Sequence, residues 1–277
     1  MINIITDSTA DLGQSLAKEF GICIVPLSVH INGSCFLDGI NLTSPQLFEL
    51  VQHGGKLPTT AAPSIGEFKR AFSNAEENIY IGISSRLSAS CQNAMLAARE
   101  FPANQVKVID SLNLSAGIAL LVLKAAELCK QGYSCSQIEQ LILAAVPKVR
   151  CSFFVETMDY LYKGGRCNAV QSIMGSMLKI RPVIEVKPDG TMGVKEKTRG
   201  TRKKALKAML DSFEADLSGL DLRRVFITHA ACLEDANYLA EEVNRRAAPQ
   251  ETLITEAGSV ISSHCGPQTI GIMYMLK

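Results

Sequence analysis

Short apolar runs rich in β-branched residues alternate with helical segments along the sequence. In the first half, strand-like runs lie at residues 2–6, 22–31, 79–83 and 106–110, and helical patterns lie at 12–20, 65–75, 91–100, 116–131 and 136–150. This alternation is typical of a mostly parallel sheet with helices packed on its faces. We therefore expect an α/β protein whose N-terminal lobe, residues 1–150, holds a mostly parallel sheet flanked by helices.

A second run of strand and helix patterns begins near residue 150. Strands are predicted at 180–186, 191–196, 224–228 and 253–257, and helices at 201–213 and 233–247. The turn Pro188-Asp189-Gly190 predicts a hairpin between the first two strands. Residues 57–64, with two prolines and three hydroxyls, and residues 258–267, which end in Gly-Pro, are predicted as loops. We expect a second α/β lobe over residues 151–277, packed tightly against the first.

Composition excludes several classes of function. The 28 Lys and Arg residues against 27 Asp and Glu give a net charge of +1, which is no electrostatic basis for binding nucleic acid. The longest apolar run, Ala116–Leu123, is too short to span a membrane. The first residues enter a strand pattern directly, so we expect no signal peptide. The nine cysteines are scattered without a C-x-x-C pair, which favours reduced thiols in a cytoplasmic protein and no metal site.

Four serines stand where the predicted strand at 79–83 gives way to a helix. Ser84, Ser85, Ser88 and Ser90 lie beside the N–H groups that a helix N-terminus leaves without partners. Hydroxyls at this position commonly cap the helix, and taken alone the stretch favours that interpretation. The same arrangement also suits a bound carboxylate or phosphate.

Polar residues at other predicted strand ends and loops suit anion binding better than bond cleavage. The sequence holds no G-x-S-x-G, phosphate-loop lysine or H-E-x-x-H motif. Each candidate also has a structural interpretation: Thr60 could shape a proline-bounded turn, Arg166 could form a surface or interdomain pair, and Arg202 could lie on a solvated basic helix face. His229 and Arg199 stay unassigned, and His264 is favoured as functional because we expect it in a tight loop. Asp7 and Asp110 are interpreted as caps.

Seven separated motifs resemble the DegV family, in that family's order. They are T-D-S-T-A-D-L at 6–12, P-L-S-V-H-I at 26–31, T-A-A-P-S at 60–64, I-S-S-R-L-S-A-S at 83–90, I-D-S at 109–111, G-G-R at 164–166 and S-H-C-G-P at 263–267. The resemblance spans the whole chain. It implies two α/β lobes with a buried ligand tunnel between and within them. It also implies that the protein binds one long-chain fatty acid and presents it to a separate fatty acid kinase subunit, which phosphorylates the carboxylate.

The resemblance also implies roles for single residues. Thr60 and Ser88 would hydrogen-bond the acyl carboxylate, His264 and Arg202 would lie behind or above it, and Arg166 would stand at the mouth of the head-group site. No catalytic residue, metal or cofactor is implied apart from the bound fatty acid, roughly C14–C18 in length. The chain departs from the family pattern at a few positions, namely Ala61, Ala62, Ala89, Ser90, Cys265 and Gln268. These changes retain both hydroxyls and bear more on chain-length preference and the partner surface.

The physical chemistry of a fatty acid agrees with such a site. Each buried CH₂ contributes about 0.8 kcal/mol, so a C16 tail gains on the order of 10 kcal/mol before ordering costs. The carboxylate needs several hydrogen-bond donors to offset its desolvation. Apolar residues that include two methionines could form core or line a cavity for a long chain, and the pattern does not separate these alternatives: Ile173, Met174, Met177, Leu178, Ile180, Val183 and Ile184.

Two rival functions remain open from the sequence. One is a stand-alone acyl-transfer or esterase-type enzyme with Ser88 as nucleophile and His264 as base, for which no orienting acid can be named. The other is a regulatory module that binds a different small anion.

Overall fold

The computed structural model describes residues 2–54, 56–166 and 180–277, apart from the side chain of Ile180. Its strands are β1 (Ile2–Asp7), β2 (Ile22–Val25), β3 (Ser28–Ile31), β4 (Ser34–Leu37), β5 (Thr59–Ala61), β6 (Glu77–Gly82), β7 (Val106–Asp110), β8 (Val149–Phe154), β9 (Ile180–Val186), β10 (Met192–Arg199), β11 (Leu220–His229), β12 (Glu251–Glu256) and β13 (Ile270–Leu276). Its α-helices are α1 (Gly13–Phe20), α2 (Ser44–Gly54), α3 (Ile65–Phe72), α4 (Ser90–Ala98), α5 (Ala116–Lys130), α6 (Cys135–Ala145), α7 (Asp159–Gly164), α8 (Arg202–Ala215), α9 (Leu233–Ala247) and α10 (Ser259–Cys265).

Three sheets organise these elements. The first is parallel, with strand order β2-β1-β6-β7. The second is mixed, with order β10-β9-β8-β13-β11-β12, and only its β11–β12 pair is parallel. A small antiparallel sheet, β4-β3-β5, lies beside the first. The predicted α/β class, with a parallel sheet flanked by helices and a second α/β lobe, is confirmed.

Helix α5 explains how the two large sheets share a core. Ten of its fifteen residues are buried, and it contacts β1 and β6 of the first sheet as well as β8, β11 and β13 of the second. A helix that is apolar on nearly all sides must be covered on nearly all sides. One hydrophobic cluster accordingly contains residues of both sheets, from Ile4 and Ile81 to Phe226 and Met273.

Several local predictions are confirmed. The Asn32-Gly33 turn joins β3 to β4, and Ile31 pairs with Ser34 across it. Asp7 caps the short 3₁₀ helix at 8–10 by accepting the N–H of Thr9 at 3.1 Å. Asp110, also interpreted as a cap, is not the cap of either neighbouring helix, because its carboxylate accepts the N–H groups of Ser85 and Leu112 in two loops.

The single strand predicted at 22–31 is wrong. It is two strands in different sheets, β2 and β3, separated at Pro26 and Leu27. Proline lacks the N–H that a continuing ladder needs. The N–H of Leu27 donates instead to the Ser8 hydroxyl at 3.1 Å, so the chain leaves the parallel sheet at this point.

Other boundaries differ for equally local reasons. The helix predicted at 136–150 ends at Ala145, because Pro147 interrupts it, and Val149 already begins β8. The predicted loop at 57–64 contains the short strand β5. The predicted loop at 258–267 is mostly helix α10, which ends at Cys265 and is capped by Gly266 with a φ of +76°. Strand β13, central in the mixed sheet, has no counterpart among the predicted elements.

The apolar residues between 173 and 184, which could form core or line a cavity, are only partly described by the structure. Val183 and Ile184 are core residues of β9, whereas Ile173, Met174, Met177 and Leu178 lie outside the described residues. The predicted lobe boundary at residue 150 stays a prediction. Within the described ranges, no helix is both long enough and apolar enough to cross a bilayer.

Candidate ligand-binding site

A cavity of about 280 Å³ lies between residues of the first and second halves of the chain. A single water needs only about 10–15 Å³, so the space suits an organic molecule. Most of the wall is apolar, with Leu27, Ile83, Phe153, Met192, Val260 and Met273 among its members. An apolar wall with a few convergent polar groups is the usual composition of a small-molecule site.

Four of the five predicted site residues line this cavity. Thr60, Ser88, Arg166 and His264 all contribute to its wall, although they come from four separate parts of the chain. Arg202 is not among the lining residues. Thr60 and His264 are hydrogen-bonded to each other, and Arg166 lies near His264 and bonds to the Leu87 carbonyl beside Ser88, so these four residues form a polar region of the wall.

Strand register directs Thr60 inward. In β5, Thr59 and Ala61 are exposed while Thr60 is half-buried, because successive side chains point to opposite faces of a strand. Thr60 pairs with Val29 of β3, which is fully buried, and paired residues share a face. The Thr60 side chain therefore points toward the core, where the cavity is.

His264 reaches Thr60 from the last turn of α10. Its Nε2 lies 2.8 Å from Thr60 Oγ1, which is a hydrogen bond between the two halves of the chain. Its Nδ1 is buried with no hydrogen-bond partner among the described residues. The backbone at Gly164 packs against this nitrogen, since a Cβ added there would lie 2.5 Å from Nδ1.

This geometry favours one tautomer of His264. A buried N–H without an acceptor is rarer than a buried nitrogen lone pair without a donor. The proton therefore belongs on Nε2, which donates to Thr60 Oγ1. The Thr60 hydroxyl is then an acceptor on its inner side, and its own proton is free to donate to a ligand in the cavity.

Burial keeps the imidazole neutral. Desolvation is the main cause and the nearby positive charge of Arg166 the second, and together they lower the pKa of His264 to about 4. Near neutral pH the ring is thus an uncharged donor. Among these four residues, the positive charge comes from Arg166 alone.

Ser88 is positioned by the loop between β6 and α4. Its N–H donates to Ser84 O at 3.1 Å, and its Oγ accepts the N–H of Ser90 at 3.3 Å and lies 2.9 Å from Ser90 Oγ. Asp110 holds the start of the same loop by accepting the N–H of Ser85 at 3.2 Å and of Leu112 at 2.9 Å.

Both interpretations of the serine stretch apply to Ser88, and the other three serines have different roles. Ser88 makes a capping-type bond to the first helical N–H, and it also lines the cavity. Ser84 is buried and donates to Gly190 O at 2.8 Å, so it fastens the β9–β10 turn to this loop. Ser85 and Ser90 do not line the cavity.

Arg166 closes one side of the polar region from the surface. Its Nη1 donates to Gly164 O at 2.7 Å and its Nε donates to Leu87 O at 3.4 Å, so the side chain bridges α7 and the Ser88 loop. The residue is exposed and also lines the cavity. The polar region is consequently close to solvent.

Arg202 lies in an ion-pair network instead. Its Nε donates to Asp235 at 2.6 Å, its Nη1 donates to Glu156 at 3.2 Å and to Gln268 O at 2.7 Å, and it stacks over Phe154. This places it at the start of α8, where it ties together α9 and the residues that follow β8. Its predicted role near the head group stays a prediction.

Some residues that line the cavity were left without a role, or were not identified at all, in the analysis of the sequence. His229 lines it, and its Nδ1 accepts the N–H of Cys232 at 3.4 Å, while burial lowers its pKa. Arg199 ends β10 and is not a lining residue. Ser115 and Thr269 also line the cavity. Ser115 was detectable as a hydroxyl preceding the apolar helix α5, whereas nothing local to Thr269 points to a cavity.

The described hydrogen bonds do not assemble a Ser88–His264 nucleophile and base. His264 Nε2 is bonded to Thr60, and Ser88 Oγ is bonded to Ser90. A catalytic histidine also needs an acceptor that orients its second nitrogen, and His264 Nδ1 has none among the described residues. Within those residues, no group of three or more His, Cys, Asp or Glu side chains could hold a metal ion either.

Comparison with known proteins supplies the family. A model described as uncharacterised proteins of the DegV family matches residues 1–277. The chain belongs to the DegV family. A DegV domain-containing protein of Caldanaerobacter subterraneus is 32% identical over 282 residues, which cover 100% of this chain and 99% of that protein.

Two solved DegV structures share the fold of this DegV family protein closely. One is a DegV family protein from Thermus thermophilus, described by its fatty acid binding, with 34% identity, a TM-score of 0.93 and coverage of 99% of both chains. The other is DegV from Bacillus subtilis, described as a fatty acid binding protein, with 30% identity, a TM-score of 0.90 and coverage of 100% of this chain and 99% of that one.

Proposed function

We propose that this DegV family protein binds one long-chain fatty acid, with the aliphatic tail in the apolar cavity and the carboxylate against Thr60 and Ser88. The observation that carries the proposal is a mostly apolar cavity whose wall holds the Thr60 and Ser88 hydroxyls together with His264 and Arg166, with Thr60 Oγ1 2.8 Å from His264 Nε2. Fatty acid binding by the relatives from Thermus thermophilus and Bacillus subtilis supports the same ligand class.

The polar region suits a carboxylate in particular. A buried carboxylate accepts hydrogen bonds and cannot donate any, so it needs hydroxyls whose protons are available. With the proton on His264 Nε2, Thr60 accepts from His264 and keeps its own hydroxyl proton for the ligand, whereas the Ser88 hydroxyl accepts the Ser90 N–H and donates either to Ser90 Oγ or to the ligand. Arg166 adds a positive charge at the exposed side, where it offsets part of the negative charge without full burial.

The tail accounts for most of the affinity. A C16 chain buries roughly fifteen carbon groups at about 0.8 kcal/mol each, which is on the order of 10 kcal/mol before ordering costs. Met192 and Met273 in the wall have flexible side chains that can adapt to different chains. We therefore expect roughly C14–C18 acids to bind, with the carboxylate as the group that fixes their direction.

We further propose that the protein is a cytoplasmic carrier that presents the carboxylate to a separate fatty acid kinase subunit. The resemblance of its motifs to the DegV family implies this role, and the exposure of Arg166 beside the polar region leaves the head group near the surface. In this account Arg166 contributes to the head-group mouth and Arg202 to the partner surface, and no residue of this chain breaks or forms a covalent bond.

The double variant Thr60→Ala with Ser88→Ala tests the proposed clasp. Fluorescent fatty acid titrations of delipidated protein should show at least about tenfold weaker binding, since two hydrogen bonds to a charged group are lost. Thr43→Ala with Ser73→Ala is the matched control, because it removes two exposed hydroxyls that do not line the cavity.

Equal affinity of the double variant and the control would refute the assignment of Thr60 and Ser88. Hydrolysis of an acyl ester by the purified protein, abolished by Ser88→Ala, would instead show that the protein is an enzyme.

A further inference from the structure

Helix α10 belongs to the second half of the sequence, yet both of its ends make hydrogen bonds to the first half. The N–H of Gly258, its N-cap residue, donates to Asp11 Oδ1 at 2.8 Å. The N–H and hydroxyl of Ser259 donate to Asp38 Oδ1 at 2.6 and 2.7 Å. At the other end of the helix, His264 bonds to Thr60.

Both carboxylates are buried. Asp38 is 2% exposed and Asp11 is 5% exposed, and both lie next to Gly258, where an added Cβ would be 2.8 Å from Asp38 Oδ1 and 3.2 Å from Asp11 Oδ1. Burying a carboxylate is expensive unless donors surround it. The N–H groups of Gly258 and Ser259 are such donors for one oxygen of each carboxylate, whereas Asp38 Oδ2 has no hydrogen-bond partner among the described residues.

A third contact fixes the middle of the helix. Ser44, at the start of α2, donates to Ala257 O and lies 2.8 Å from Ser262 Oγ. Asp11, Asp38 and Ser44 therefore hold one end and one side of α10 against the first half of the chain. Because α10 is only about 10 Å long, a shift at its start moves its last turn by a similar amount.

The last turn has little tolerance for such a shift. His264 is held between Thr60, 2.8 Å from its Nε2, and the backbone of Gly164 at its Nδ1. A shift of about 0.5 Å would carry this 2.8 Å contact beyond the usual hydrogen-bond range of about 2.7–3.2 Å. Binding groups in general depend on supporting contacts that hold them to about 0.5 Å.

We infer that Asp38, assisted by Asp11, is a positioning residue for the carboxylate clasp and acts through α10 and His264. It sets His264 where Nε2 donates to Thr60, and so directs the Thr60 hydroxyl proton into the cavity. The inference rests on the proposed function, because it names a further determinant of head-group recognition at the same site.

The test compares two probes that share a tail and differ in the head group. Affinities for palmitic acid and 1-hexadecanol are measured on delipidated full-length protein, and the acid-to-alcohol affinity ratio reports head-group recognition alone. Asp38→Ala should lower this ratio about tenfold while affinity for the alcohol changes less than about twofold. Asp38→Asn, which retains an acceptor for Ser259, should restore most of the ratio. Asp211→Ala, an exposed aspartate of α8, is the control.

A double-variant cycle shows whether the effect passes through His264. In a His264→Ala background, Asp38→Ala should leave the ratio unchanged, because the positioned group is already gone. If Asp38→Ala does not fold, Ser259→Ala removes one of the two bonds to Asp38, and its ratio should fall about threefold.

The possible results separate the two proposals. An unchanged ratio in Asp38→Ala, or an equal loss of acid and alcohol affinity, would overturn the positioning role and leave the proposed function standing. A wild-type protein that binds the acid no better than the alcohol would overturn both.

Discussion

The pH dependence of stability gives a direct test of the environment assigned to His264. The perturbation is His264→Asn, which keeps a hydrogen-bonding side chain of similar polarity but cannot be protonated. In the folded protein, burial and the charge of Arg166 lower the pKa of His264 to about 4, against 6.5 for an ordinary histidine. The unfolded chain therefore binds this proton more readily than the folded protein does.

The sign and size follow from that difference. Above about pH 6.5 the ring is neutral in both states, and its contribution to stability is fully present. As the pH falls from 6.5 toward 4, only the unfolded state takes up the proton, so wild-type stability is lost across this window. At 1.36 kcal/mol per tenfold change in proton concentration, the loss attributable to His264 is about 3 kcal/mol at most, and about 2 kcal/mol after allowing for the partial exposure of the residue.

Urea unfolding of ligand-free protein at several pH values between about 7.5 and 4 measures this effect. The buried carboxylates Asp7 and Asp11 have raised pKa values and act with the opposite sign, but they are common to both proteins and cancel in the difference. The wild-type stability should fall toward that of His264→Asn as the pH decreases. His53→Asn, which replaces an exposed histidine of α2, serves as the control. Parallel curves for wild type and His264→Asn would refute the reasoning.

Two further perturbations test the surroundings of the site. Gly190→Ala should destabilise the protein by more than about 2 kcal/mol in urea unfolding, because φ is +80° and the new Cβ would lie 2.4 Å from Ser84 Oγ. The control is Gly132→Ala, where φ is a similar +85° and no atom lies within 4 Å, so only the backbone cost of about 1 kcal/mol is expected. Equal destabilisation by the two variants would contradict the close docking of the β9–β10 turn. Arg202→Ala should destabilise by about 2 kcal/mol through loss of its ion pairs while leaving the palmitic acid to 1-hexadecanol affinity ratio unchanged, and a lower ratio would place Arg202 at the head group.

Much of the fold was predictable because its elements carry strong local signals. The apolar runs of β1, β6 and β7 are separated by helical segments, and that periodicity alone indicates a parallel sheet. The helix α5 is apolar on almost every side, which implies burial between layers. The break at Pro26 was harder to predict, since a strand that changes sheets keeps its strand pattern on both sides of the change.

The candidate site, like the fold, could be predicted only in part from the sequence. Thr60, Ser88, Arg166 and His264 were identified by motif resemblance, and the structure brings them to one cavity. Their surroundings are set by contacts between distant residues, which local pattern does not contain. The loop expectation at 258–267 failed because serines, glycine and proline resemble a turn, whereas the buried Asp38 stabilises a helix there from 221 positions away.

Native mass spectrometry of the purified protein, followed by lipid extraction, tests the central claim most directly. The account predicts one bound species per chain whose mass matches a long-chain fatty acid of roughly C14–C18, released on extraction into organic solvent. A bound polar metabolite in the same cavity, or a protein that takes up no fatty acid when palmitic acid is added in excess, would contradict it.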